Sequence, residues 1–293
     1  MVKAILKLTR WSEFWAFTTI LTWLGGLTAH HAYKVPLDWR LGVVLIANLA
    51  AMAYAFMIND IEDAPDDALD PNRPKPNPVA TQELSLQVAW IATGSMAVVA
   101  ALGYAVAGWK TFVVGIVTLV LAHLYSWKPV RLKARPLVDI LSHALFLSTL
   151  LFLASYFLYA DKVGEFWVVI IGTFLISANG QLYNQVRDFE GDRIAKLHNT
   201  ASILGKQLTN TLATGSVLGS LLCLIIAALI GIFPLWLGPI FLVSIPISLF
   251  VLRGWSKDMR GDETQDPMAL VQSRFLLAAN LTLMTWLVVS YTS

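Results

Sequence analysis

Two short segments of this chain combine an amide with closely spaced carboxylates. One begins at Asn59 and the other at Asn184, and each repeats a spacing of four residues. Side chains at positions i, i+4 and i+8 lie on one face of a helix, so each segment is predicted to project its polar groups in a line. The two sets are Asn59, Asp63 and Asp67, and Asn184, Asp188 and Asp192.

Carboxylates held this close to one another and to lipid are costly unless a cation lies between them. The candidate ligands are oxygen atoms, which favours Mg²⁺ over Zn²⁺. Mg²⁺ typically binds one or two carboxylates together with phosphate oxygens. The two segments therefore predict a Mg²⁺ site that binds a diphosphate. The predicted metal ligands are Asp63, Asp67, Asp188 and Asp192.

The competing interpretation is that both segments are ordinary charged loops. One acidic loop would leave that question open, but two matched sets at the ends of two different helices favour a site. Pro65 and Gly191 disturb a continuous helix, so the second carboxylate of each set is expected at the edge of a loop.

A diphosphate also requires direct positive charge, which Arg supplies through two hydrogen bonds and Lys as a point charge. Basic residues occur near both segments and in the stretch from Tyr125 to Lys133. Those predicted to bind the phosphates are Arg73, Lys128, Arg131 and Lys196, and Asn59 and Asn184 are predicted to orient oxygens. The alternative is that these cations only set the membrane topology and contact lipid headgroups.

The elements that position these residues are predicted to be membrane-spanning helices. Of the 293 residues, 57% are hydrophobic and 14% are charged, and the mean hydropathy is +0.64. A span requires about 20 apolar residues, so the length allows one helical bundle and no separate soluble domain. We predict a single all-α domain over 1–293 with about nine spans, near 14–32, 40–59, 86–107, 110–125, 137–160, 166–185, 209–231, 234–252 and 270–291.

The distribution of basic residues predicts the orientation of this bundle. Of the 21 Lys and Arg residues, 17 fall in the loops on one side of the predicted spans. The positive-inside rule makes that side cytoplasmic. The N-terminus and both acidic segments are therefore predicted to face the cytoplasm, and the C-terminus the opposite side. The net charge of only +2 gives no reason to expect a nucleic-acid partner.

Several other polar residues receive structural interpretations. Four of the five histidines, His30, His31, His123 and His143, are predicted to be packed or interfacial rather than a proton relay. Asp139, just inside the fifth span, is predicted to pair with a neighbouring cation. The single cysteine, Cys223, excludes intramolecular disulfides and is predicted to be packed and inert.

Taken in order along the chain, three motifs resemble those of the UbiA-type intramembrane prenyltransferases. Residues 59–67 with Asn72-Arg73-Pro74 are similar to the first aspartate motif of that family. The stretch from Tyr125 to Lys133 resembles the segment between its fourth and fifth helices, and residues 188–196 resemble its second aspartate motif. The stretch 71–78 is richer in proline than the family pattern, so the match at Arg73 is weaker.

The resemblance implies a nine-helix bundle around a central cavity, with Mg²⁺ and diphosphate at its cytoplasmic mouth and an apolar tunnel for the prenyl chain. It implies transfer of a prenyl group from a prenyl diphosphate to a hydrophobic or aromatic acceptor, a lipid or another isoprenoid. The expected catalytic residues are Asp63, Asp188, Tyr125 and Lys128. Asp66, Asp67 and Asp70 also form a DDxxD pattern similar to that of soluble isoprenoid enzymes. We prefer Asp63 and Asp67, whose spacing the second segment repeats.

Two other functions remain open from the sequence. A terpene cyclase within the membrane would use the same ionisation site and then let the chain react with itself. A cation-coupled transporter would place its acidic site near the bilayer midplane on broken helices, whereas these carboxylates cluster at one face. Turnover of a prenyl diphosphate would separate an enzyme from a transporter.

Overall fold

A computed structural model describes residues 1–69, 77–194, 197–258, 264–265 and 267–292. In chain order its helices are α1 (Val2–Thr9), α2 (Trp15–Tyr33), α3 (Arg40–Asp67), α4 (Leu86–Ala107), α5 (Trp109–Ser126), α6 (Val138–Tyr156), α7 (Trp167–Arg187), α8 (Phe189–Ile194), α9 (Thr200–Leu229), α10 (Leu237–Val251) and α11 (Pro267–Thr292). Helix α6 contains a π-helical turn at Leu145–Thr149. The described residues form helices, turns and loops without an extended β-strand, which confirms the all-α class.

The long helices coincide with the predicted spans. Six of them, α3, α4, α5, α6, α9 and α11, are long and apolar enough to cross a membrane. Helix α10 is apolar but shorter, and α2 and α7 carry more polar residues. The total of nine spans therefore stays a prediction.

Helix α6 packs against α2, α3, α5 and α7, and α9 packs along α7. Glycine permits two of the closest approaches between neighbouring helices. A Cβ on Gly25 would lie 2.2 Å from the carbonyl oxygen of Phe152, and one on Gly115 would lie 2.1 Å from the ring of Tyr104. Small residues at such contacts are typical of helices that pack within membranes.

One buried amide joins four helices in the interior of the bundle. Asn48 of α3 donates to Thr22 Oγ1 at 2.8 Å and to the carbonyl oxygen of Leu151 at 3.1 Å. Its own Oδ1 accepts a 2.8 Å hydrogen bond from the Tyr104 hydroxyl. Because α2, α3, α4 and α6 each contribute one group, this network fixes their relative positions without leaving the amide unpaired.

The two termini lie at opposite ends of the bundle, as the predicted topology requires. Lys7, at the end of α1, pairs with Glu83, which precedes α4 at the end that carries the acidic segments. At the other end the Tyr291 hydroxyl donates to the carbonyl oxygen of Asp38, and Lys110 pairs with Asp161. Which end faces the cytoplasm remains a prediction.

Candidate active site

Helix α3 continues through Pro65 and ends at Asp67, so the first acidic segment is helical throughout. Two members of its predicted common face, Asn59 and Asp63, share one partner, the ammonium of Lys133. Lys133 Nζ lies 2.8 Å from Asn59 Oδ1 and 2.7 and 2.5 Å from the two carboxylate oxygens of Asp63. Asn59 Oδ1 also accepts from Ser126 at the end of α5. Asn59 and Asp63 thus form one charged surface with the loop that follows α5.

The loop between α5 and α6 delivers its cations through a local turn. Arg131 has a left-handed backbone conformation, with φ 44°, and a 3₁₀ turn at Leu132–Ala134 then points Lys133 inward. The Lys133 side chain is only 10% exposed. Burial lowers the pKa of its ammonium group, and the negative charge of Asp63 opposes that shift. Such a lysine is held in place by the carboxylate that it contacts.

Arg131 lies beside Lys133 and bridges two carboxylates of α3. Its Nη2 is 3.2 Å from Asp63 Oδ1 and 3.0 Å from Asp66 Oδ2. Lys128 lies farther out: its backbone N–H donates to Glu62, and its Nζ is 3.6 Å from the half-exposed carboxylate of Asp66. The structure therefore brings Arg131 to Asp63 and leaves Lys128 at the rim.

Asp67, the second carboxylate of the first set, is the last residue of α3, and its side chain is bound by Asn77. Asn77 donates to Asp67 Oδ2 at 2.9 Å and to the backbone carbonyl of Asp60 at 2.6 Å. The Asp60 carboxylate turns away toward Arg10, whose Nη1 is 3.2 Å from it. Arg10 also binds Glu13, so a buried ion-paired group fixes the end of α3 from the N-terminal side. In the sequence, Arg10 is only one of the 17 basic residues that predict the topology. Nothing in the sequence indicates its contact with Asp60, which lies 50 residues away.

The second acidic segment is interrupted where the first is continuous. Helix α7 ends at Arg187, Asp188 lies between the helices, and Asp192 belongs to the short helix α8. Helical hydrogen bonds nevertheless connect Asn184 to Asp188 and Asp188 to Asp192 through the backbone. The expectation of a loop edge agrees with the structure for Asp67, the last residue of α3, and is wrong for Asp192, which lies within α8. In the second set it is the first carboxylate, Asp188, that lies at the break, where Arg187 donates to it at 2.9 Å.

Electrostatics connect the two segments across the end of the bundle. Burial raises the pKa of Asp192 to about 6, and the charge of Asp188 adds to that increase. A hydrogen bond from Asn199, 2.7 Å long, and the charge of Lys133 oppose it, while Asp63 raises it further. Asp63 and Lys133 both influence the pKa of Asp192, so the two acidic segments lie near each other at the same end of the bundle.

Asp139 has a different role from the predicted one. The carboxylate is fully buried and accepts hydrogen bonds rather than pairing with a cation. Its donors are the Thr200 backbone N–H at 2.7 Å, the Thr200 hydroxyl at 2.5 Å, Gln185 Nε2 at 2.7 Å and the Ile140 N–H at 2.8 Å. Asp139 therefore caps the N-terminus of α9 from α6, which satisfies donors that a helix start leaves free.

Below the charged groups, an aromatic and polar cluster lies between α5, α6 and α7. The Tyr125 hydroxyl accepts from Gln181 Nε2 at 2.9 Å, and the Tyr125 ring packs on Phe146 with centroids 5.2 Å apart. His143 lies 6.0 Å from Tyr125, between centroids, and its Nδ1 is 3.3 Å from Ser177 Oγ. Tyr125 therefore faces the interior, whereas Lys128 faces the rim, although the sequence places them three residues apart.

The donor set suits a cation that also binds phosphate. Within the described residues, no three His, Cys, Asp or Glu side chains converge as a closed metal cage would require. The arrangement instead presents carboxylates on two opposed segments, with Lys and Arg groups beside them. Mg²⁺ suits such a site, because it uses one or two carboxylates and takes its remaining ligands from water and phosphate. Arg73, Lys196 and Asp70 lie outside the described residues.

The sequence model of the UbiA prenyltransferase family matches residues 18–287, which is most of the chain. The chain belongs to the UbiA prenyltransferase family. It is therefore a prenyltransferase and an integral membrane protein, and the predicted resemblance is confirmed. This membership favours the enzyme over the cation-coupled transporter.

Relatives of this UbiA prenyltransferase are archaeal. A lycopene elongase/hydratase from Haloarcula japonica is 23% identical over 222 residues, which cover 75% of this chain and 70% of the relative. A UbiA homologue from Archaeoglobus fulgidus bound to GPP and Mg²⁺ shares the fold, with a TM-score of 0.75 and 20% identity over 99% of this chain and 100% of that one. The same homologue bound to DMAPP and Mg²⁺ gives a TM-score of 0.72 with 20% identity, over 98% of this chain and 99% of that one.

Proposed function

We propose that this UbiA prenyltransferase transfers a prenyl group from a prenyl diphosphate to a hydrophobic acceptor within the membrane, in a reaction that depends on Mg²⁺. The observation that carries the proposal is the ion pair of Asp63 on α3 with the buried ammonium of Lys133, close enough to Asp192 on α8 for their charges to interact. Two carboxylate segments and a fixed cation suit a ligand that carries both metal and phosphate. The Archaeoglobus homologue bound to GPP and Mg²⁺ supports this choice.

Each charged residue has a place in this scheme. Asp63, Asp67, Asp188 and Asp192 would hold Mg²⁺, and Asn59 and Asn184 would orient its other oxygen ligands. Lys133 and Arg131 would donate to the phosphate oxygens, with Lys128, Arg73 and Lys196 completing the positive charge. When bound, Mg²⁺ would supply positive charge against the leaving diphosphate. Preorganised charges of this kind are usually the largest single contribution to catalysis.

The cluster beneath the charged groups suits the other half of the substrate. Breaking the C–O bond leaves an allylic cation on the prenyl chain. The faces of Tyr125 and Phe146 can stabilise a cation through their π electrons, and the surrounding helices exclude water. Their ring centroids are 5.2 Å apart and their planes are inclined by 58°, so the two rings pack directly against each other.

The acceptor is proposed to be a hydrophobic molecule of the membrane, and an isoprenoid is the first to test. Support for an isoprenoid comes from the relative named a lycopene elongase/hydratase. Aromatic and lipid acceptors belong in the same experiment. Cyclisation of the prenyl chain without an acceptor is the alternative that the experiment must separate.

The test is diphosphate release by the purified protein in lipid nanodiscs. Dimethylallyl, geranyl, farnesyl and geranylgeranyl diphosphates would each be supplied with and without Mg²⁺, and with lycopene, an aromatic acid or no acceptor. We expect Mg²⁺-dependent release that an acceptor stimulates, with a prenylated product identified by mass spectrometry. Release with a cyclic product and no acceptor would replace transfer by cyclisation. Absence of release from folded protein with every pair would overturn the proposal.

A further inference from the structure

His143 is a titratable group inside the bundle that the scheme above does not use. It lies on α6, one turn deeper than Asp139, and is enclosed by helices. Its side chain nevertheless keeps part of its surface accessible, as does that of Tyr125. A residue that lies deep in the protein and still has accessible surface borders an internal space. His143 and Tyr125 are ring neighbours beneath the charged site, so each borders such a space there.

The imidazole is fixed by one nitrogen, and its other nitrogen faces this space. Nδ1 lies 3.3 Å from Ser177 Oγ. Among the residues that the structure describes, Nε2 has no hydrogen-bond partner, yet it is not enclosed as the unpaired indole nitrogen of Trp23 is. In the tautomer that donates from Nδ1 to Ser177, Nε2 carries a lone pair and can accept a proton.

The surroundings of His143 suit a cation that must lose a proton. The ring centroids of Tyr125 and Phe146 lie 6.0 and 5.9 Å from that of His143. Asp139 is close in sequence, but its carboxylate already accepts four hydrogen bonds and caps α9. Within the described part of this cluster, the lone pair of Nε2 is thus the basic group without a structural partner.

We propose that His143 is a catalytic base that removes the proton lost when the prenyl cation is trapped. The inference rests on the proposed function. The C–O bond breaks and diphosphate leaves with the electron pair; a π pair of the acceptor then forms the new C–C bond. The acceptor cation loses a proton from the carbon next to its charge, the C–H electron pair restores the double bond, and the proton passes to Nε2. Without an acceptor, the allylic cation loses a proton in the same way and gives a diene.

This step can be tested without knowing the acceptor. Geranylgeranyl diphosphate and Mg²⁺ would be supplied to the full chain in nanodiscs, and diphosphate, hydrocarbon and alcohol products would be measured separately. Proton loss gives hydrocarbon, whereas capture by water gives alcohol. The variant is His143→Gln. The matched control is His123→Gln, because His123 also contacts a tyrosine, Tyr54, but borders an outer groove of about 350 Å³ between α3, α4 and α5.

We expect His143→Gln to release diphosphate within about twofold of the unmodified protein, while its hydrocarbon-to-alcohol ratio falls at least about tenfold, since general base catalysis contributes roughly 10²–10⁴-fold. His123→Gln should change neither quantity. An unchanged ratio in His143→Gln with normal release overturns this proposal alone, and assigns the proton to diphosphate or water. No release by the unmodified protein with geranylgeranyl diphosphate alone overturns this inference, and the proposed function is overturned only if release is also absent with every pair of diphosphate and acceptor.

A second variant covers the case in which His143→Gln does not fold. Ser177→Ala removes the group that fixes Nδ1 and leaves the imidazole in place. We expect the same ratio to fall in this variant by a smaller factor, about two- to fivefold, since orientation of the base and not its presence is lost. A ratio equal to that of the unmodified protein would overturn the proposal.

Discussion

Asp63 is the residue on which most contacts of the candidate site converge. Lys133 and Arg131 both bind it, and its side chain is only 16% exposed. The two cations that bind this carboxylate can also bind a phosphate, because the phosphate is an anion and can take the place of the carboxylate as their partner. The geometry at this residue therefore explains how one site can stay neutral before the substrate binds and still attract it.

Replacing Asp63 with Asn should reduce Mg²⁺-dependent diphosphate release at least about 100-fold, since removal of one preorganised charge costs that order of rate. The amide keeps the size of the side chain but loses its charge for Mg²⁺ and directs an NH₂ group toward Lys133. Asp161→Asn is the matched control, because Asp161 is an exposed carboxylate at the opposite end of the bundle. Near-normal release by Asp63→Asn would remove Asp63 from the site. The same test applies to Asp188→Ala.

Lys133 and Lys128 differ in a way that the sequence did not reveal. Lys133→Met should lower diphosphate release by about 10²-fold, because the buried ammonium contacts Asn59 and Asp63. Lys128→Met should lower it less than about tenfold, since its ammonium is part-exposed and 3.6 Å from Asp66. Steady-state kcat and KM for geranylgeranyl diphosphate would measure both. Equal losses in the two variants would contradict the distinction.

At the scale of elements, the second acidic segment depends on the start of α9. Asp139 on α6 caps that start, and Gln185 on α7 donates to Asp139 and accepts from the Ala201 N–H at 2.9 Å. Asn199, the residue before α9, then binds Asp192. Three helices thus meet at one buried carboxylate, and the position of Asp192 follows from the position of α9.

Asp139→Ala should therefore destabilise the protein by about 2 kcal/mol, since it leaves buried donors of Thr200 and Gln185 unpaired and removes a helix cap. Thermal unfolding in detergent would measure the loss, with Asp161→Ala as the exposed control. Asp139→Asn should cost less, because its remaining oxygen can still accept from Thr200. A melting temperature in Asp139→Ala equal to that of the control would show that the network contributes no stability.

Arg10 tests whether the N-terminal segment is a structural part of the site. Arg10→Met would remove the guanidinium that pairs with the buried carboxylates of Asp60 and Glu13, and breaking such a pair costs about 3–5 kcal/mol. The control is Lys7→Met, since the Lys7–Glu83 pair is exposed and worth at most about 1 kcal/mol. Thermal unfolding of both variants would measure the difference. Similar melting temperatures would show that Arg10 does not support α3.

The elements were easier to predict from the sequence than their contacts. Long apolar runs fix where a helix can cross lipid, so the predicted spans agree with the structure within a few residues at most ends. The four-residue spacing likewise identified Asn59 and Asp63 as neighbours. The inward turn at Lys133, the Arg10–Asp60 pair and the cap at Asp139 depend on backbone turns and on contacts between distant segments. The periodicity of the sequence does not predict these contacts.

At the scale of the whole molecule, the bundle separates two chemically different ends. One carries the acidic segments with Lys133, Arg131 and Arg10, and the other carries isolated pairs such as Lys110 with Asp161. The acidic and basic residues at the first end are proposed to bind the substrate together. Basic residues in a loop also oppose translocation of that loop across the membrane. Several of the residues proposed to serve the site are therefore among those that predict the topology.

The predicted orientation of the protein can be measured. Cys223 is the single cysteine, so Cys223→Ala gives a background in which one introduced thiol reports one position. In intact cells that produce the protein, a membrane-impermeant maleimide should label Lys162→Cys and should label Lys3→Cys only after permeabilisation. The cysteine-free parent controls for background labelling. The reverse pattern would place the acidic segments outside the cytoplasm and show that the 17 basic residues on their side do not set the topology.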